Sequence, residues 1–331
     1  MDARPDAQTD GAGAVSGAQS GYSSLGDVAG TGAGRWLRPD LFAAIVVAAG
    51  FLVDWRLGLV LAVWLGSWWA NARLAAAGGR VAGYLVPVVF GLVLLVIWEL
   101  VVRLYQVPMV ILPAPSAIWA KIVTSTDLLR ADFVQTFVKG ALPGYAMGCS
   151  AGILLGILAD RFGFLQRGLL PVGNFMAALP IVGTAPIFVM WFGFGWQSKA
   201  AVVFTMVFFP MLVNTVAGLK EASAAQRDLM RTYAAGPAAT LRKLKLPAAM
   251  PFVFNGLKIS STLALIGAIV AEFFGSPIVG MGFRISTSVG QLALDMVWAE
   301  IAVAALAGSL FYGAVALAER WVTFWHPSQR T

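Results

Sequence analysis

Charged residues are scarce in this 331-residue chain. They make up 12% of it, and hydrophobic residues make up 59%; a soluble domain carries about 25% charge. So few charges cannot cover the surface of a water-soluble protein of this length, which predicts a membrane protein with several spanning helices. The net charge of +7 fits the basic cytoplasmic loops of such proteins better than binding to nucleic acid.

The residue types that carry catalysis and metal binding are also nearly absent. One cysteine, Cys149, excludes a disulfide scaffold, and one histidine, His326, argues against a histidine triad or metal site. The sequence Gly-Lys-Ser/Thr of a Walker A motif does not occur, so the chain cannot hydrolyse ATP by that route. We expect no enzymatic activity and no cofactor in this chain.

The N-terminal part divides in two. Residues 1–38 are rich in small and polar side chains, which predicts a disordered cytoplasmic tail. Residues 39–80 hold two short apolar runs, Leu41–Val53 and Leu57–Ala70, separated by Asp54-Trp55-Arg56. They form either a tight hairpin of short helices or one long tilted helix. Basic residues at both outer ends favour the hairpin.

Residues 81–331 form the predicted core. Hydropathy predicts an all-α, polytopic membrane helix bundle. The third of its six spans is interrupted by Pro171, Pro180 and Pro186, which either line a transport path or are satisfied by neighbouring helices. Loops on one side carry ten basic residues against four on the other, which places the loop at 220–245 and both termini in the cytoplasm. The six spans are Val81–Val102, Val134–Leu158, Leu169–Phe192, Ala200–Leu219, Ala248–Phe274 and Val297–Val322.

Small residues and isolated charges stand out within these spans. Glycine occurs at every fourth position from Gly140 to Gly156, which indicates close helix packing rather than a solute site. Charges within a membrane are functional candidates by default. Here they are Lys139, Lys258, Glu272 and Glu300, with Glu99 at an edge.

Simpler interpretations of these charges exist. The two lysines can extend toward the headgroups, and Glu272 and Glu300 can be solvated near the outer face. The sequence offers no chain of carboxylates suited to a proton relay, which argues against a proton-driven secondary carrier.

The polar stretch from Lys220 to Pro247 is too patterned for a simple connector. It predicts a short helix, a Gly-Pro break, and a second helix ended by Pro247. Leu229, Met230 and Tyr233 share one face of the first helix, beside Asp228 and Arg231. Such a helix either binds in the groove of a partner protein or rests on lipid headgroups.

This stretch resembles the EAA loop of permease subunits of bacterial ABC importers. Its usual form is Glu-Ala-Ala, three residues, Gly, and Leu-Pro twelve residues further on. Counting back from Leu246-Pro247 places Asp228-Leu229-Met230 at the Glu-Ala-Ala positions. Ala234 falls at the family glycine, with Gly236 two residues later. The spacing is therefore kept, whereas the first letters and the glycine are not.

Other segments extend the resemblance over about residues 83–325. Three are similar to segments of nitrate/sulfonate/taurine-type permeases: Ile111–Ala117, Met190–Gly195 and Leu265–Gly275. Three others look most like members that take up pyrimidines, thiamine precursors or riboflavin: Met230–Gly236, Arg284–Thr287 and Thr323–Ser328.

The resemblance implies a type I ABC importer permease of the bacterial inner membrane. It implies a homodimer of permeases, a dimer of separate ATPases that use ATP and Mg, and an extracytoplasmic solute-binding protein. The loop at 220–247 would couple the permease to the ATPases. The coupling residues carried over are Asp228, Leu229, Met230, Arg231, Thr232, Tyr233, Ala234, Gly236, Leu246 and Pro247.

The solute is predicted from the spans. Aromatic and amide side chains suit a planar heterocycle such as a pyrimidine, a thiamine precursor or riboflavin. A small anion such as nitrate, a sulfonate or taurine is the alternative, but it needs a cation at depth, and Lys258 is the only such candidate. An ion-coupled carrier is a further alternative. The translocation-path candidates are Asn174, Pro180, Trp191, Phe192, Asn214, Lys258 and Glu272.

Overall fold

The computed structural model describes residues 39–177, 180–275 and 278–325, and every regular element within these ranges is a helix. This confirms the predicted all-helical class. Two π-helical segments, Val134–Ala141 and Leu241–Lys245, join α-helices end to end. The α-helices are α1 (Pro39–Val53), α2 (Trp55–Ala76), α3 (Gly79–Leu104), α4 (Pro115–Thr124), α5 (Thr126–Phe133), α6 (Leu142–Arg161), α7 (Gly163–Ala177), α8 (Ile181–Phe192), α9 (Trp196–Lys220), α10 (Ala224–Thr232), α11 (Pro237–Thr240), α12 (Leu246–Phe274), α13 (Met281–Gly290) and α14 (Leu294–Val322).

The described residues divide into two compact units, those up to Leu100 and those from Val101 onward. The tail predicted at residues 1–38 lies outside the described residues. In the first unit, α1 and α2 meet at Asp54, whose carboxylate accepts a hydrogen bond from the Arg56 amide at 2.9 Å and thereby caps α2. A Cβ atom on Gly58 would lie 2.3 Å from the Phe51 ring, so glycine permits this close contact between the helices. The apolar runs of residues 39–80 therefore form the predicted hairpin and not a single long helix.

Five of the six predicted core spans are confirmed as continuous helices. Within the described ranges, five helical stretches are long and apolar enough to cross a membrane. In two of them a π-helical segment extends an α-helix. The stretches are Val81–Leu104, Thr126–Arg161, Trp196–Lys220, Pro237–Phe274 and Leu294–Val322.

The remaining predicted span, Leu169–Phe192, is divided into two helices, and of its three predicted interruptions the one at Pro180 is confirmed. α7 ends at Ala177 and α8 begins after Pro180, which is its N-cap; the two residues between Ala177 and Pro180 lie outside the described ranges. Pro171 and Pro186 lie within their helices without ending them. Only Pro180 therefore marks a boundary, at a position where proline is tolerated because the first amides of a helix have no acceptor within it.

The regularly spaced glycines hold α6 against α9. A Cβ atom on Gly144 would lie 2.5 Å from the Val203 Cβ atom, and one on Gly148 would lie 2.3 Å from the Val207 Cγ2 atom. Such distances are far shorter than any carbon–carbon contact, so only glycine fits there. This contact confirms the interpretation of the glycines as a helix-packing surface.

Pro247 does not end a helix, contrary to the prediction. The helical run continues from Pro237 to Phe274, and Pro247 lies in the first turn of α12. The preceding turn is π-helical, with the Leu246 amide donating to the Leu241 carbonyl. We attribute the continuity to this wider turn, which accommodates the proline ring and its missing donor at the cost of one regular hydrogen bond.

Candidate functional site

The coupling segment, residues 223–247, begins with a capped helix. The Ser223 hydroxyl accepts a hydrogen bond from the Gln226 amide at 3.2 Å, and the Gln226 side chain accepts one from the Ser223 amide at 2.9 Å. This capping box satisfies two amides that a helix start leaves without partners, which fixes the first turn of α10. The sequence analysis missed both residues, although their Ser-x-x-Gln spacing indicates such a box.

α10 presents apolar side chains that no described part of the chain covers. None of its residues is buried, and the side chains of Leu229 and Tyr233 are 56% and 77% exposed. Beside them, Arg231 donates to the Asp228 carboxylate at 3.0 Å in an equally exposed ion pair. Such exposed pairs add little to the stability of the fold. Exposed apolar side chains do not stabilise it either, so the folding of the chain does not explain this face of α10.

The turn after α10 is a Schellman motif with alanine in the position that glycine usually takes. The Ala235 amide donates to the Met230 carbonyl at 3.0 Å, and the Ala234 amide donates to the Arg231 carbonyl at 2.9 Å. Ala234 has a φ of +51°, in the left-handed region. Alanine thus takes the left-handed conformation that glycine usually adopts in such a turn, at a conformational cost of about 1–2 kcal/mol.

The far end of the coupling segment is anchored to α6. The Lys245 ammonium lies 2.8 Å from the Asp160 carboxylate, and both side chains are largely buried. The sequence analysis did not identify Asp160, because nothing local connects it with a residue 85 positions away. This ion pair ties the second π-helical segment to the end of a spanning helix.

The aromatic path candidates lie at an exposed surface of α8. Trp191 is 70% and Phe192 50% exposed, and Phe188 packs edge to face against Trp191 with ring centroids 6.0 Å apart. Pro180 is also exposed, at the start of the same helix. The side chain of Asn174 lies outside the described residues.

Asn214 forms an amide pair that joins α9 and α12. Its Nδ2 donates to the Pro210 carbonyl at 2.8 Å, and its Oδ1 accepts a hydrogen bond from Asn255 Nδ2 at 3.1 Å. Asn255 is exposed, and the sequence analysis missed it. The pair places amide groups at an accessible position of an otherwise apolar surface.

Lys258 does not extend alone toward the headgroups, as its simpler interpretation expected. Its ammonium lies 2.7 Å from the Glu319 carboxylate of α14, with both side chains mostly buried. The strong short contact reflects the cost of leaving either charge unpaired in an apolar surrounding. The one deep basic candidate on the predicted path is thus neutralised within the chain.

Glu272 and Glu300 are not solvated, also contrary to the simpler interpretation. Their exposed fractions are 1% and 0%. Glu272 Oε2 accepts hydrogen bonds from the Thr136 hydroxyl at 2.7 Å and from the Gly282 amide at 2.9 Å. The chain after α12 folds back over the end of this helix, which removes both carboxyls from solvent.

These carboxyls belong to a larger group, which we call the acidic cluster. It consists of Asp132, Glu272 and Glu300 with the neighbouring Arg284 and Lys199. Counting basic residues in loops had assigned Lys199 and Arg284 to the outer side, and Asp132 drew no attention. Their juxtaposition depends on contacts across more than a hundred residues, which no local pattern contains.

A family model decides which proteins this chain is related to. The model of the "Binding-protein-dependent transport system inner membrane component" matches residues 151–324, more than half of the chain. The chain belongs to this family. The match includes the whole coupling segment together with Glu272, Arg284 and Glu300, and it begins after Asp132 and Thr136.

Individual relatives agree. The chain is 32% identical to the formylaminopyrimidine transport permease ThiX of Halalkalibacterium halodurans, over 73% of this chain and 96% of that protein. It is 30% identical to the riboflavin transport permease RibX of Chloroflexus aurantiacus, over 72% and 88% of the two chains. It is 29% identical to the putative aliphatic sulfonates permease SsuC of Bacillus subtilis, over 78% and 94%.

The protein is therefore the permease subunit of an ABC importer. It is a multi-pass membrane protein of a family of transport subunits, which are not themselves enzymes. Importer permeases of this family work with an ATPase and a solute-binding protein. This membership excludes the ion-coupled secondary carrier that the sequence alone left open. It leaves the solute undecided, because the three relatives carry different solutes in their names.

Proposed function

We propose that this permease forms a homodimer in the bacterial inner membrane, with both termini in the cytoplasm, and imports a small uncharged or weakly charged heterocycle. A separate ATPase dimer, which uses ATP and Mg, drives transport, and an extracytoplasmic binding protein delivers the solute. The observation that carries the transport mechanism is the exposed, independently capped helix α10 at the family's coupling position.

The role of α10 follows from its surface. A groove in the ATPase would cover Leu229 and Tyr233, which supplies the apolar contact that typically dominates such interfaces. Asp228 and Arg231 would lie at the rim, where charges guide association more than they strengthen it. The Lys245–Asp160 ion pair then transmits movement of α10 to α6. Binding of α10 to lipid headgroups would explain its apolar face equally well. It would not explain why the Lys245–Asp160 ion pair anchors the same segment to α6.

The preference for a heterocycle rests on charge and space at depth. Lys258 is paired with Glu319, and the Lys199 ammonium is buried and donates to the Phe194 carbonyl at 2.6 Å. Neither is available to replace the hydration of an anion. The accessible groups of the candidate path are aromatic rings, the exposed amide of Asn255 and the half-buried amide of Asn214, which offer stacking and hydrogen bonds.

A cavity between α7, α8 and α9 has a suitable size. Its volume of about 380 Å³ lies within the usual range for small ligands. Phe188 and Phe209 offer ring faces, and Thr184 and Thr205 contribute hydroxyls. The relatives named for formylaminopyrimidine and riboflavin support the same class of solute, whereas the sulfonate relative is the reason to keep an anion as the alternative.

The test is uptake by the complete transporter in proteoliposomes, with its own ATPase and binding protein. We expect ATP-dependent uptake of a labelled pyrimidine or riboflavin, and no competition by taurine or nitrate. Transport of taurine or nitrate without response to heterocycles would overturn the solute proposal while leaving the importer mechanism intact. Uptake of any solute that proceeds without the ATPase would overturn the mechanism itself.

A further inference from the structure

The acidic cluster contains more buried carboxyls than cations. Asp132 on α5, Glu272 on α12 and Glu300 on α14 are all at most 1% exposed. Two cations face them, Arg284 of α13 and Lys199 of α9. Three ionised carboxylates would leave one negative charge without compensation in a region shielded from water, which is very costly.

Two of the three carboxyls have the contacts of ionised groups. Asp132 Oδ2 accepts a hydrogen bond from Arg284 Nε at 2.8 Å, and its Oδ1 accepts one from the Gly280 amide at 2.6 Å. Glu272 accepts from Thr136 and Gly282 through Oε2, and it lies within electrostatic range of Lys199, although its Oε1 has no hydrogen-bond partner among the described residues. Each thus has donors and a cation nearby, as a buried carboxylate requires.

Glu300 differs from both. Its side chain is fully buried, and neither of its carboxyl oxygens has a hydrogen-bond donor among the described residues. Its charged neighbours are Asp132, Arg284 and Glu272, so it faces two other carboxyls and a guanidinium that Asp132 already engages. An ionised Glu300 would be both unsatisfied and repelled.

Other charged side chains on the surrounding helices do not change this balance. Asp295, on the same helix as Glu300, is paired with Lys121 of α4 at 3.3 Å. The remaining charges on α5 and the first π-helical segment are exposed to the surface: Asp127, Arg130 and Lys139. Among the described residues, no group of acidic, cysteine or histidine side chains is arranged to hold a metal ion.

We propose that the acidic cluster binds one proton, carried by the carboxyl of Glu300. With this proton, the hydroxyl of Glu300 becomes a donor and forms a hydrogen bond to Asp132, so one of its two oxygens gains a partner and the cluster is neutral. The bond would connect α14 to α5 and, through Asp132, to the turn at Gly280 and to Arg284. This proton site includes the path candidate Glu272, but it requires neither a particular solute nor the coupling segment.

The proton has a defined effect on stability. An ordinary glutamate of the unfolded chain releases its proton above about pH 4.3, whereas the folded permease keeps it on Glu300. Because the folded state then binds the extra proton, its stability falls as the pH rises above that value, until the folded state also releases its proton. Removing the titrating group removes this part of the pH dependence.

Infrared spectroscopy of the full-length permease in lipid nanodiscs tests the proposal directly. At neutral pH the wild type should show the C=O stretching band of a protonated carboxylic acid, shifted in D₂O. Glu300→Gln should abolish the band. Asp295→Asn, a matched change on the same helix, should keep it. Absence of the band in the wild type, or its full retention in Glu300→Gln, would overturn the proposal.

Thermal unfolding against pH gives a second readout that a purely structural role would not produce. The midpoint of the wild type should decrease from mildly acidic to neutral pH, and Glu300→Gln should reduce this slope while Asp295→Asn leaves it unchanged. Equal slopes in all three proteins would contradict the proton site. If Glu300→Gln cannot be purified, the wild-type infrared band must still disappear on strong alkalinisation, and a band that persists there overturns an exchangeable proton on Glu300.

Discussion

The two ends of one helical run, Pro237–Phe274, lie beside opposite kinds of surface: exposed apolar side chains at the first end and buried charged side chains at the last. Before its first residue lies the exposed α10, where apolar side chains stay in contact with the surroundings and the helix is held by its own caps. Around its last turn lies the acidic cluster, where charged side chains are hidden from the surroundings and held by one another. In the proposed function, the first end meets an external partner, whereas the side chains at the second end contact one another within the chain.

This difference predicts which measurement each end will affect. A change in α10 removes contacts with a partner and leaves the fold intact, because none of its residues is buried. A change in the acidic cluster leaves a buried charge without its partner, which lowers the stability of the folded permease. Substitutions at the two ends should therefore separate coupling from stability.

The largest effect is expected for Asp132→Ala. It deprives Arg284 of its partner at 2.8 Å and the Gly280 amide of its acceptor, and breaking a buried pair in this way costs about 3–5 kcal/mol. The measurement is thermal unfolding of the purified permease, with Asp295→Ala at the half-buried Lys121–Asp295 pair as the control. Equal stability of the two variants would show that the cluster does not hold the fold together.

Tyr233→Asp should abolish solute uptake while the permease remains folded and inserted. The side chain is 77% exposed, so folding loses little, whereas placing a charge in an apolar groove should cost about 2–4 kcal/mol of binding, as at an interface hot spot. Copurification of the ATPase and uptake in proteoliposomes measure this. Tyr233→Phe, which keeps the ring, serves as the control. Normal uptake and normal ATPase copurification with Tyr233→Asp would rule out α10 as the docking helix.

Most features of the exposed α10 could be predicted from the sequence, whereas few features of the buried acidic cluster could. The amphipathic pattern at 228–233 and the Gly-Pro break are local, so they predicted α10 and its apolar face. The effect of prolines on helix ends was harder to predict. The helix continues past Pro247 because the turn before it is π-helical. The acidic cluster depends on pairs such as Thr136 with Glu272, whose proximity is decided by the packing of whole helices.

Ala234→Gly should stabilise the exposed end. Ala234 has a φ of +51°, where glycine avoids the cost of about 1–2 kcal/mol that other residues bear; part of this gain is lost because glycine also loosens the unfolded chain. Hydrogen exchange of the amides of Ala235 and Tyr233 should slow. Ala238→Gly, within α11, should have the opposite sign. Faster exchange at the turn after Ala234→Gly would contradict the Schellman geometry.

The smallest effect is expected for Asp228→Asn. This variant breaks an exposed ion pair and is compared with Glu319→Gln, which breaks a mostly buried one. Asp228 and Arg231 form an exposed ion pair at 3.0 Å, for which about 0.2–1 kcal/mol is typical, so the unfolding midpoint should hardly move. Glu319→Gln breaks a mostly buried pair with Lys258 at 2.7 Å and should lower the midpoint clearly. A rim role for Asp228 would instead appear as a changed salt dependence of ATPase association. If Asp228→Asn and Glu319→Gln lower the unfolding midpoint equally, the burial of an ion pair does not determine how much it stabilises this protein.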